Sequence, residues 1–302
     1  MTNDSHGLDS HGLDHRGLDS RGLDSQGYIA REGSLGRIQD AFRPVVAAAR
    51  DRVADVFGKR LDSAYLYGSV PRGTARVGRS DLDLLLVLRE EPTAADRADA
   101  DAVAAAVDRE FAEVDGVGLL LLGRARVLSE RETYDHGWFL ACLCTPLLGE
   151  DLAEFLPRYR PSGLLARGTN GDLALLLPRW RAAVDRAVAD GDERELRALC
   201  RRFSRHLVRT GFTLVMPRWG GWTSDLGVMA EVFGRYYPGR AARMRAAAAV
   251  AEEPVADADV LREYVDDLGP WLAGEYAAVH GVRAPRSGGT GPGHQIRPCS
   301  SR

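Results

Sequence analysis

An eight-residue segment in the first third of the chain constrains the fold most strongly. Asp81-Leu82-Asp83 is followed by an unbroken apolar run that ends at Leu88. A short apolar run bounded by polar residues predicts a strand that is buried on both faces. Such a strand needs neighbouring strands and helices to cover it, so the first half of the chain should form a small sheet with packed helices.

The flanking segments provide those neighbours. The spacing of apolar residues predicts a helix over about 38–59, a strand at 64–67, an alanine-rich helix at about 93–113 and a strand at 117–122. After about residue 131 the strand signals fade, and helices are predicted near 133–148, 170–190, 193–215, 223–236, 240–251 and 257–279. The expected fold class is therefore α+β, with a small mixed sheet domain followed by an all-helical bundle.

Both ends of the chain have a composition typical of disorder. Gly-Leu-Asp recurs every five residues from Gly7 to Asp24, and a period of five fits neither a helix nor a strand. The C-terminal tail is rich in Gly, Ser, Pro and Arg. These patterns predict a disordered repeat tail at 1–33, a sheet domain at 34–130, a helical domain at 131–283 and a disordered tail at 284–302.

Composition and charge argue against several functional classes. Lys59 is the only lysine, and its Gly-Lys-Arg context fits neither a Walker phosphate loop nor a kinase strand. The formal net charge is −3, and the absence of a basic tract argues against a nucleic-acid acceptor. The N-terminus lacks the apolar segment of a signal peptide, and no apolar run is long enough to span a bilayer. We therefore expect a cytoplasmic protein without a membrane partner.

The two aspartates at the head of the apolar strand suggest a metal site. Asp81 and Asp83 are two residues apart on a strand, so both side chains leave the same face. Neighbouring carboxylates repel, and each raises the pKa of the other unless a cation lies between them. Mg²⁺ prefers oxygen ligands, typically one or two carboxylates with phosphate oxygens and water. The pair therefore predicts a divalent metal site that also meets a phosphorylated substrate.

A turn before this strand carries groups suited to phosphate. Gly68 ends the preceding strand and lets the backbone approach a ligand closely, and Ser69 adds a hydroxyl beside free backbone N–H groups. Arg72, Arg76 and Arg79 lie in the loop that follows, and their guanidinium groups can form bidentate hydrogen bonds with a triphosphate. Phosphate and metal binding are thus expected side by side.

Three short motifs occur in one order: Gly68-Ser69, Arg72-Gly73 and Ser80-Asp81-Leu82-Asp83. Together, at the head of an apolar strand, they resemble the signature of the polymerase-beta-like nucleotidyltransferase superfamily, and their spacing resembles its minimal and aminoglycoside nucleotidyltransferase-like branches. The resemblance implies a magnesium-dependent, ATP-binding enzyme that transfers a nucleoside monophosphate from a nucleoside triphosphate to a hydroxyl of a small, aminoglycoside-like molecule and releases pyrophosphate.

The resemblance also assigns roles to individual residues. Asp81 and Asp83 would be catalytic and would hold one Mg²⁺ ion or two. The nucleotide, with ATP as the first expectation, would be bound by Gly68, Ser69, Arg72, Arg79 and Ser80. Two other functions stay open: transfer of the nucleotide to a protein, as in toxin–antitoxin pairs, and a degenerate nucleotide-binding module without turnover.

The superfamily usually has a third carboxylate on a neighbouring strand, as a metal ligand or as the base toward the acceptor hydroxyl. Asp115 is the candidate here, and Glu113 is the second choice. Asp115 can equally well be interpreted as a loop residue that starts a turn with Gly116. Glu132 and Asp135 are further acidic candidates in the sequence that follows, with no stronger pattern behind them.

The helical half offers aromatic and acidic residues but no sharp motif. Its tryptophans are favoured as packing residues, and its acids Asp172 and Asp225 as residues at helix starts. Arg201 and His206 have a spacing that resembles an RNase motif of helical nucleotide-binding domains. A solvated helix face with a packed histidine is the preferred interpretation. The other candidates for acceptor binding are Trp180, Trp219, Trp222, Trp271 and Glu231.

Overall fold

The computed structural model describes residues 21–282, whose first layer is a four-stranded sheet. Its strands are β1 Leu61–Tyr67, β2 Leu82–Leu88, β3 Val117–Gly123 and β4 Thr145–Gly149. They lie in the order β3-β2-β1-β4, with β2 parallel to β3 and antiparallel to β1, and β1 antiparallel to β4. The mixed sheet and the many helices confirm the predicted α+β class.

Helices cover the sheet and form most of the rest of the described chain. The α-helices are α1 Arg43–Phe57, α2 Ser69–Arg72, α3 Ala94–Glu110, α4 Arg124–Val127, α5 Gly163–Asn170, α6 Leu173–Asp190, α7 Glu193–Trp219, α8 Leu226–Tyr236, α9 Ala241–Glu252, α10 Ala258–Glu263 and α11 Gly269–His280. Short 3₁₀-helices lie at Leu35–Arg37, Asp40–Phe42, Gly58–Arg60, Glu130–Glu132, Leu152–Phe155 and Pro238–Arg240. Between residues 21 and 282, no helix combines the length and the apolar character needed to cross a bilayer.

Strand β2 is buried on both faces, as its apolar run predicts. Leu84 and Leu86 belong to one hydrophobic cluster with side chains of α1 and α3. Leu85 and Val87 point the other way and join a second cluster formed mainly by the helical half of the chain. Because both faces of the strand interior are apolar and covered, charged side chains are accommodated only at its first end, which carries the carboxylate pair.

The tryptophans of the helical half contribute mainly to packing. Trp180 is buried and stacks on Phe203 of α7, with ring centroids 4.0 Å apart. Edge-to-face contacts join Trp219 and Trp222 to Phe212, and Trp271 to Phe233. These contacts confirm the packing interpretation made from the sequence.

The segment predicted as a helix over 133–148 differs from the structure. It forms two π-helical turns, Thr133–Gly137 and Phe139–Leu143, and then β4, which pairs with the free edge of β1. Thr145 precedes Pro146, and the residue before a proline is disfavoured in the α conformation. The sheet therefore extends past residue 131, where the sequence suggested that the helical domain begins.

Order also begins earlier than Ser34. Residues 21–39, here called the N-terminal strap, pack across both halves of the chain. A β-bridge joins Leu23 to Ile29, and the buried Ile29 donates its N–H to the carbonyl of Tyr159 at 2.8 Å. The repeat pattern does not reveal these contacts, because Leu23 belongs to the last Gly-Leu-Asp unit and Ile29 follows it. The tails predicted to be disordered lie, at 1–20 and 284–302, outside the described residues.

Candidate active site

The carboxylate pair lies where β1 ends and β2 begins. Tyr67 of β1 pairs with Asp83 of β2, and Asp81 stands just before the strand. Gly68 has a φ of +83°, and a Cβ there would come within 2.8 Å of Asp83 Oδ2. Glycine is therefore required at this position for both conformation and space. The structure thus brings Gly68 and both aspartates together, as the motifs predict.

Gly68 opens the phosphate turn, residues 68–73, which contains the short helix α2. Arg72 is its last helical residue, and Gly73 closes it in the left-handed conformation. The Nε atom of Arg72 is buried and donates no hydrogen bond to another residue within 21–282. An unsatisfied guanidinium donor beside a carboxylate pair suits an anionic ligand.

The loop after the phosphate turn holds the other predicted nucleotide-binding residues. Ser80 Oγ accepts a hydrogen bond from the backbone N–H of Arg76 at 2.9 Å, so its hydroxyl braces the loop. Arg79 is exposed, and its N–H donates to the carbonyl of Arg76. Nucleotide binding by Arg79 and Ser80 is still a prediction, and their visible role is in loop structure.

Electrostatics in the pair favour a bound cation. Burial, followed by the charge of Asp81, raises the pKa of Asp83 to about 7, although nearby arginines oppose the shift. Burial also raises the pKa of Asp81. The Oδ1 atom of Asp83 is buried and accepts no hydrogen bond from the described residues. A buried carboxylate oxygen without a donor, next to a second carboxylate, fits a divalent cation well. Asp81 and Asp83 are the residues that would hold it.

Strand β3 offers no carboxylate beside this pair. In the parallel register Asp83 faces Gly118 and Leu85 faces Leu120, so these two β3 residues occupy the positions on the site side. A Cβ at Gly118 would stand 3.1 Å from Asp83 Oδ1. The position where the superfamily resemblance implies a third acid is thus apolar in β3.

Asp115 lies at the rim of the site. It precedes β3, is exposed, and donates its backbone N–H to the carbonyl of Ser80 at 3.1 Å. Its negative charge contributes to the raised pKa of Asp81, which places it on the Asp81 side of the pair. Glu113 uses its carbonyl to accept the N–H of Gly78. A catalytic role for Asp115 is therefore still a prediction.

Glu132 and Asp135 belong to a different cluster. With His136 they place carboxylate and imidazole atoms within 4.8 Å of one another, and His136 Nδ1 lies 2.7 Å from Glu132 Oε2. Glu132 and His136 are both buried. This cluster lies on the π-helical segment rather than at the head of β2.

A row of arginines on α7 faces the carboxylates and was not singled out from the sequence as a nucleotide site. Arg201, Arg205 and Arg209 recur at every fourth residue and so share one helix face. Arg201 Nη2 lies 3.7 Å from Asp81 Oδ2. Burial and the charges of its two neighbours in the row lower the pKa of Arg205 to about 10. Arginine at i, i+4 and i+8 of one helix was the available signal, but arginine is frequent throughout this chain.

His206 does not share that face with Arg201, because five residues correspond to about 140° around a helix. Its ring meets Trp180 edge to face and stands 3.9 Å from Asp172 Oδ1. Burial lowers the pKa of His206. The packed-histidine interpretation is therefore preferred to the RNase motif. At the start of α8, Asp225 Oδ1 accepts the N–H of Val228 and caps the helix, as predicted.

The raised pKa of Asp83 predicts a pH-dependent stability. Without divalent cations, we expect the free energy of unfolding to fall as the pH rises from about 4 to about 7. In this window the folded protein keeps a proton on Asp83 that the unfolded chain has released, so raising the pH favours unfolding. The loss should be at least about 1 kcal/mol, since one pKa unit corresponds to about 1.4 kcal/mol.

Urea unfolding in chelator at about pH 5 and about pH 8 measures this loss. Asp83→Asn lacks the titrating group and should lose clearly less stability between the two conditions. An equal loss of stability in wild type and in Asp83→Asn would contradict the assignment of this pH dependence to Asp83.

The comparison with protein families agrees with these features. Residues 48–132 match the family model described as "Nucleotidyltransferase domain". Among solved structures, spectinomycin adenyltransferase AAD(9) from Enterococcus faecialis, determined with ATP and spectinomycin, matches with a TM-score of 0.45 and 14% identity, covering 77% of this chain and 98% of that one. The search of curated proteins gave no match. With the phosphate turn and both aspartates inside the matched stretch, residues 48–132 are a nucleotidyltransferase domain, and the protein is a nucleotidyltransferase.

Proposed function

We propose that the protein transfers a nucleoside monophosphate from a nucleoside triphosphate, with ATP as the first candidate, to a hydroxyl of a small molecule. The observation that carries this proposal is the opposition of two charged surfaces. Asp81 and Asp83 form the acidic one, and the arginine row of α7 forms the basic one, with 3.7 Å between Arg201 and Asp81. A triphosphate with a divalent cation needs both kinds of surface at once.

Different residues would bind the phosphate oxygens and the divalent cation of the nucleotide. The arginine row and Arg72 would hold the phosphate oxygens, because guanidinium groups bind such oxygens bidentately and stay charged at neutral pH. Even with its lowered pKa of about 10, Arg205 is a cation at pH 7. The hydroxyl of Ser69, at the start of the phosphate turn, would add a further donor. Mg²⁺ held by the two aspartates would neutralise charge on the triphosphate and on the attacking oxygen.

In the transfer step the acceptor oxygen forms a bond to the α-phosphorus. The bond from that phosphorus to the bridging oxygen of the β-phosphate breaks, and pyrophosphate leaves with both electrons of the broken bond. The hydroxyl proton passes to a base, for which Asp115 is the candidate, because among the acids outside the pair its charge acts most strongly on Asp81.

We further propose an acceptor that carries amino groups, such as an aminoglycoside. Asp108 and Asp115 both contribute to the raised pKa of Asp81, so the rim beside the pair is acidic. An acidic rim attracts a cationic acceptor and disfavours a nucleic acid. The apolar positions Gly118 and Leu120 favour one rival function, a nucleotide-binding module without turnover, because the neighbouring strand carries no third acid.

A turnover experiment tests the proposal. The protein is incubated with Mg²⁺, each labelled nucleoside triphosphate and a panel of aminoglycosides, while pyrophosphate release and acceptor mass are followed. We expect pyrophosphate and an acceptor heavier by one nucleoside monophosphate. Nucleotide binding without pyrophosphate would sink the transfer proposal in favour of the binding module. Label that appears on protein instead would replace the small acceptor with a protein.

A further inference from the structure

The N-terminal strap packs against the phosphate turn and forms hydrogen bonds with it. The backbone N–H of Ser34 donates to the carbonyl of Pro71 at 3.0 Å, and Gln39 Nε2 donates to the carbonyl of Gly73 at 2.9 Å. A Cβ at Gly73 would come within 2.8 Å of the carbonyl oxygen of Arg37. The strap thus contacts the turn along much of its length.

Glu32 is a strap residue whose side chain contacts both the phosphate turn and the helical half. Its backbone is fixed at both ends, since its N–H donates to the carbonyl of Cys142 at 3.0 Å and its carbonyl accepts from Arg37 Nη1 at 2.8 Å. Its carboxylate lies between two side chains. Oε1 accepts from Trp222 Nε1 at 3.0 Å, and Oε2 stands 3.7 Å from Arg72 Nη1. Glu32 therefore joins three parts of the molecule.

Arg72 depends on this carboxylate for its position. Across residues 21–282, Glu32 is the one carboxylate within 4 Å of the Arg72 guanidinium. The guanidinium Nε has no hydrogen-bond partner in the described chain, and the charge of Asp83 acts on the group only from beyond 4 Å. A long side chain with one fixed contact loses less entropy when it meets a ligand. Glu32 thus leaves Arg72 oriented before any triphosphate arrives.

Trp222 extends the connection to the helical half. It follows α7, the helix of the arginine row, and is buried, with its ring packed edge to face against Trp138 and Phe212. Its Nε1–H is the donor that Glu32 accepts. The same carboxylate therefore contacts Arg72 of the phosphate turn and the segment just beyond the arginine row.

We propose that Glu32 is a positioning residue for triphosphate recognition. It acts through Arg72, whose guanidinium it holds toward the ligand, and its bond to Trp222 sets the phosphate turn against α7. This inference rests on the proposed function, because it takes the ligand of Arg72 to be a nucleoside triphosphate. Glu32 itself forms no bond to the substrate in this proposal.

The direction in which one substitution changes the affinity for the triphosphate distinguishes a positioning role of Glu32 from a purely electrostatic one. Glu32→Gln keeps a carbonyl oxygen that can accept from Trp222, but it removes the negative charge beside Arg72. If Glu32 contributed only its charge, the substitution would strengthen binding of the anionic triphosphate. If Glu32 positions Arg72, the substitution weakens binding, because the guanidinium loses its anchor.

The experiment compares wild type, Glu32→Gln, Arg72→Ala and the double variant, by equilibrium ATP binding with Mg²⁺ and by steady-state kinetics. We expect Glu32→Gln to raise Kd and KM for ATP about fivefold with kcat within about twofold, since ground-state binding is what it loses. In the Arg72→Ala background the same substitution should change nothing further, because it acts through the missing side chain.

Asp151→Asn serves as the matched control. Asp151 pairs with Arg31 of the strap at 2.7 Å, so its loss loosens the strap without touching Glu32. It should leave the ATP Kd within about twofold of wild type. An unchanged or lower Kd in Glu32→Gln, or an equal rise in Asp151→Asn, would overturn the positioning role. ATP binding without turnover in wild type would overturn the proposed transfer alone, since the Glu32 effect is read from Kd.

Discussion

Asp83→Asn is expected to lower kcat/KM for nucleotidyl transfer by at least about 1000-fold, because it removes a carboxylate proposed to hold the divalent cation. Asn keeps the size and the carbonyl oxygen of Asp but supplies no charge. The buried Oδ1 of Asp83 has no protein donor in the described chain, so no hydrogen bond of the fold is lost when it is replaced. The effect should therefore fall on activity rather than on the fold.

Stability provides the internal check on this variant. Burial raises the pKa of Asp83 to about 7, so above that pH the metal-free folded protein carries a buried charge that lowers its stability. Asp83→Asn should consequently unfold at a urea concentration equal to or higher than wild type at about pH 8 in chelator. A variant that is both inactive and less stable would point to a structural role for Asp83 instead.

Asp225→Asn is the matched control, because it makes the same replacement of Asp by Asn away from the carboxylate pair. Asp225 caps α8 through a hydrogen bond from Val228, and Asn caps helices about as well as Asp. Pyrophosphate release under saturating Mg²⁺ and nucleotide should be the same as in wild type. Comparable losses in Asp225→Asn and Asp83→Asn would show that the assay reports folding and would refute the metal assignment.

Arg205→Met is expected to weaken binding of the triphosphate about 30-fold, since charge-assisted hydrogen bonds to a partly buried site are each worth about 2 kcal/mol. Arg205 is the middle member of the row, and the charges of Arg201 and Arg209 disfavour its charged form. An anion that binds there relieves this repulsion as well as forming hydrogen bonds. Methionine keeps much of the side-chain volume and removes the charge.

We do not expect Arg205→Met to lower the stability of the fold. Burial lowers the pKa of Arg205, which means that its cation is less stable in the folded protein than in water. We therefore expect Arg205→Met to match or exceed wild type in urea at low ionic strength. Equilibrium binding of ATP and of pyrophosphate with Mg²⁺ measures the loss of affinity. Arg202→Met is the control, because Arg202 lies over the Phe203 ring and should affect neither ligand. Equal affinity in Arg205→Met and wild type would remove the arginine row from the nucleotide site.

The sequence predicted the local structure around the candidate site. The continuous apolar run identifies β2, and a spacing of two places Asp81 and Asp83 on one face whatever surrounds them. Gly68-Ser69 marks the phosphate turn because few residues other than glycine tolerate its backbone conformation. The resemblance to the nucleotidyltransferase superfamily rests on these local features, and the domain match confirms it.

Features that depend on distant partners were not predictable in the same way. β4 looked like part of a helix, since nothing in residues 145–149 reveals the free edge of β1 that it joins. The lack of a carboxylate beside Asp83 follows from the register of β2 and β3, which sets Gly118 in that position. Residues 21–33 looked disordered because their anchors lie more than 100 residues away in sequence, as between Arg31 and Asp151.

By itself, then, the sequence determined the central strand, its carboxylates and the phosphate turn, because backbone periodicity and glycine stereochemistry act within a few residues. The tertiary structure alone decided that the arginines of α7 face Asp81 and that Glu32 stands between Arg72 and Trp222. Those contacts depend on how the buried surfaces of sheet, strap and helices pack. Charged residues that are far apart in sequence come close only through that packing, and no local sequence pattern predicts it.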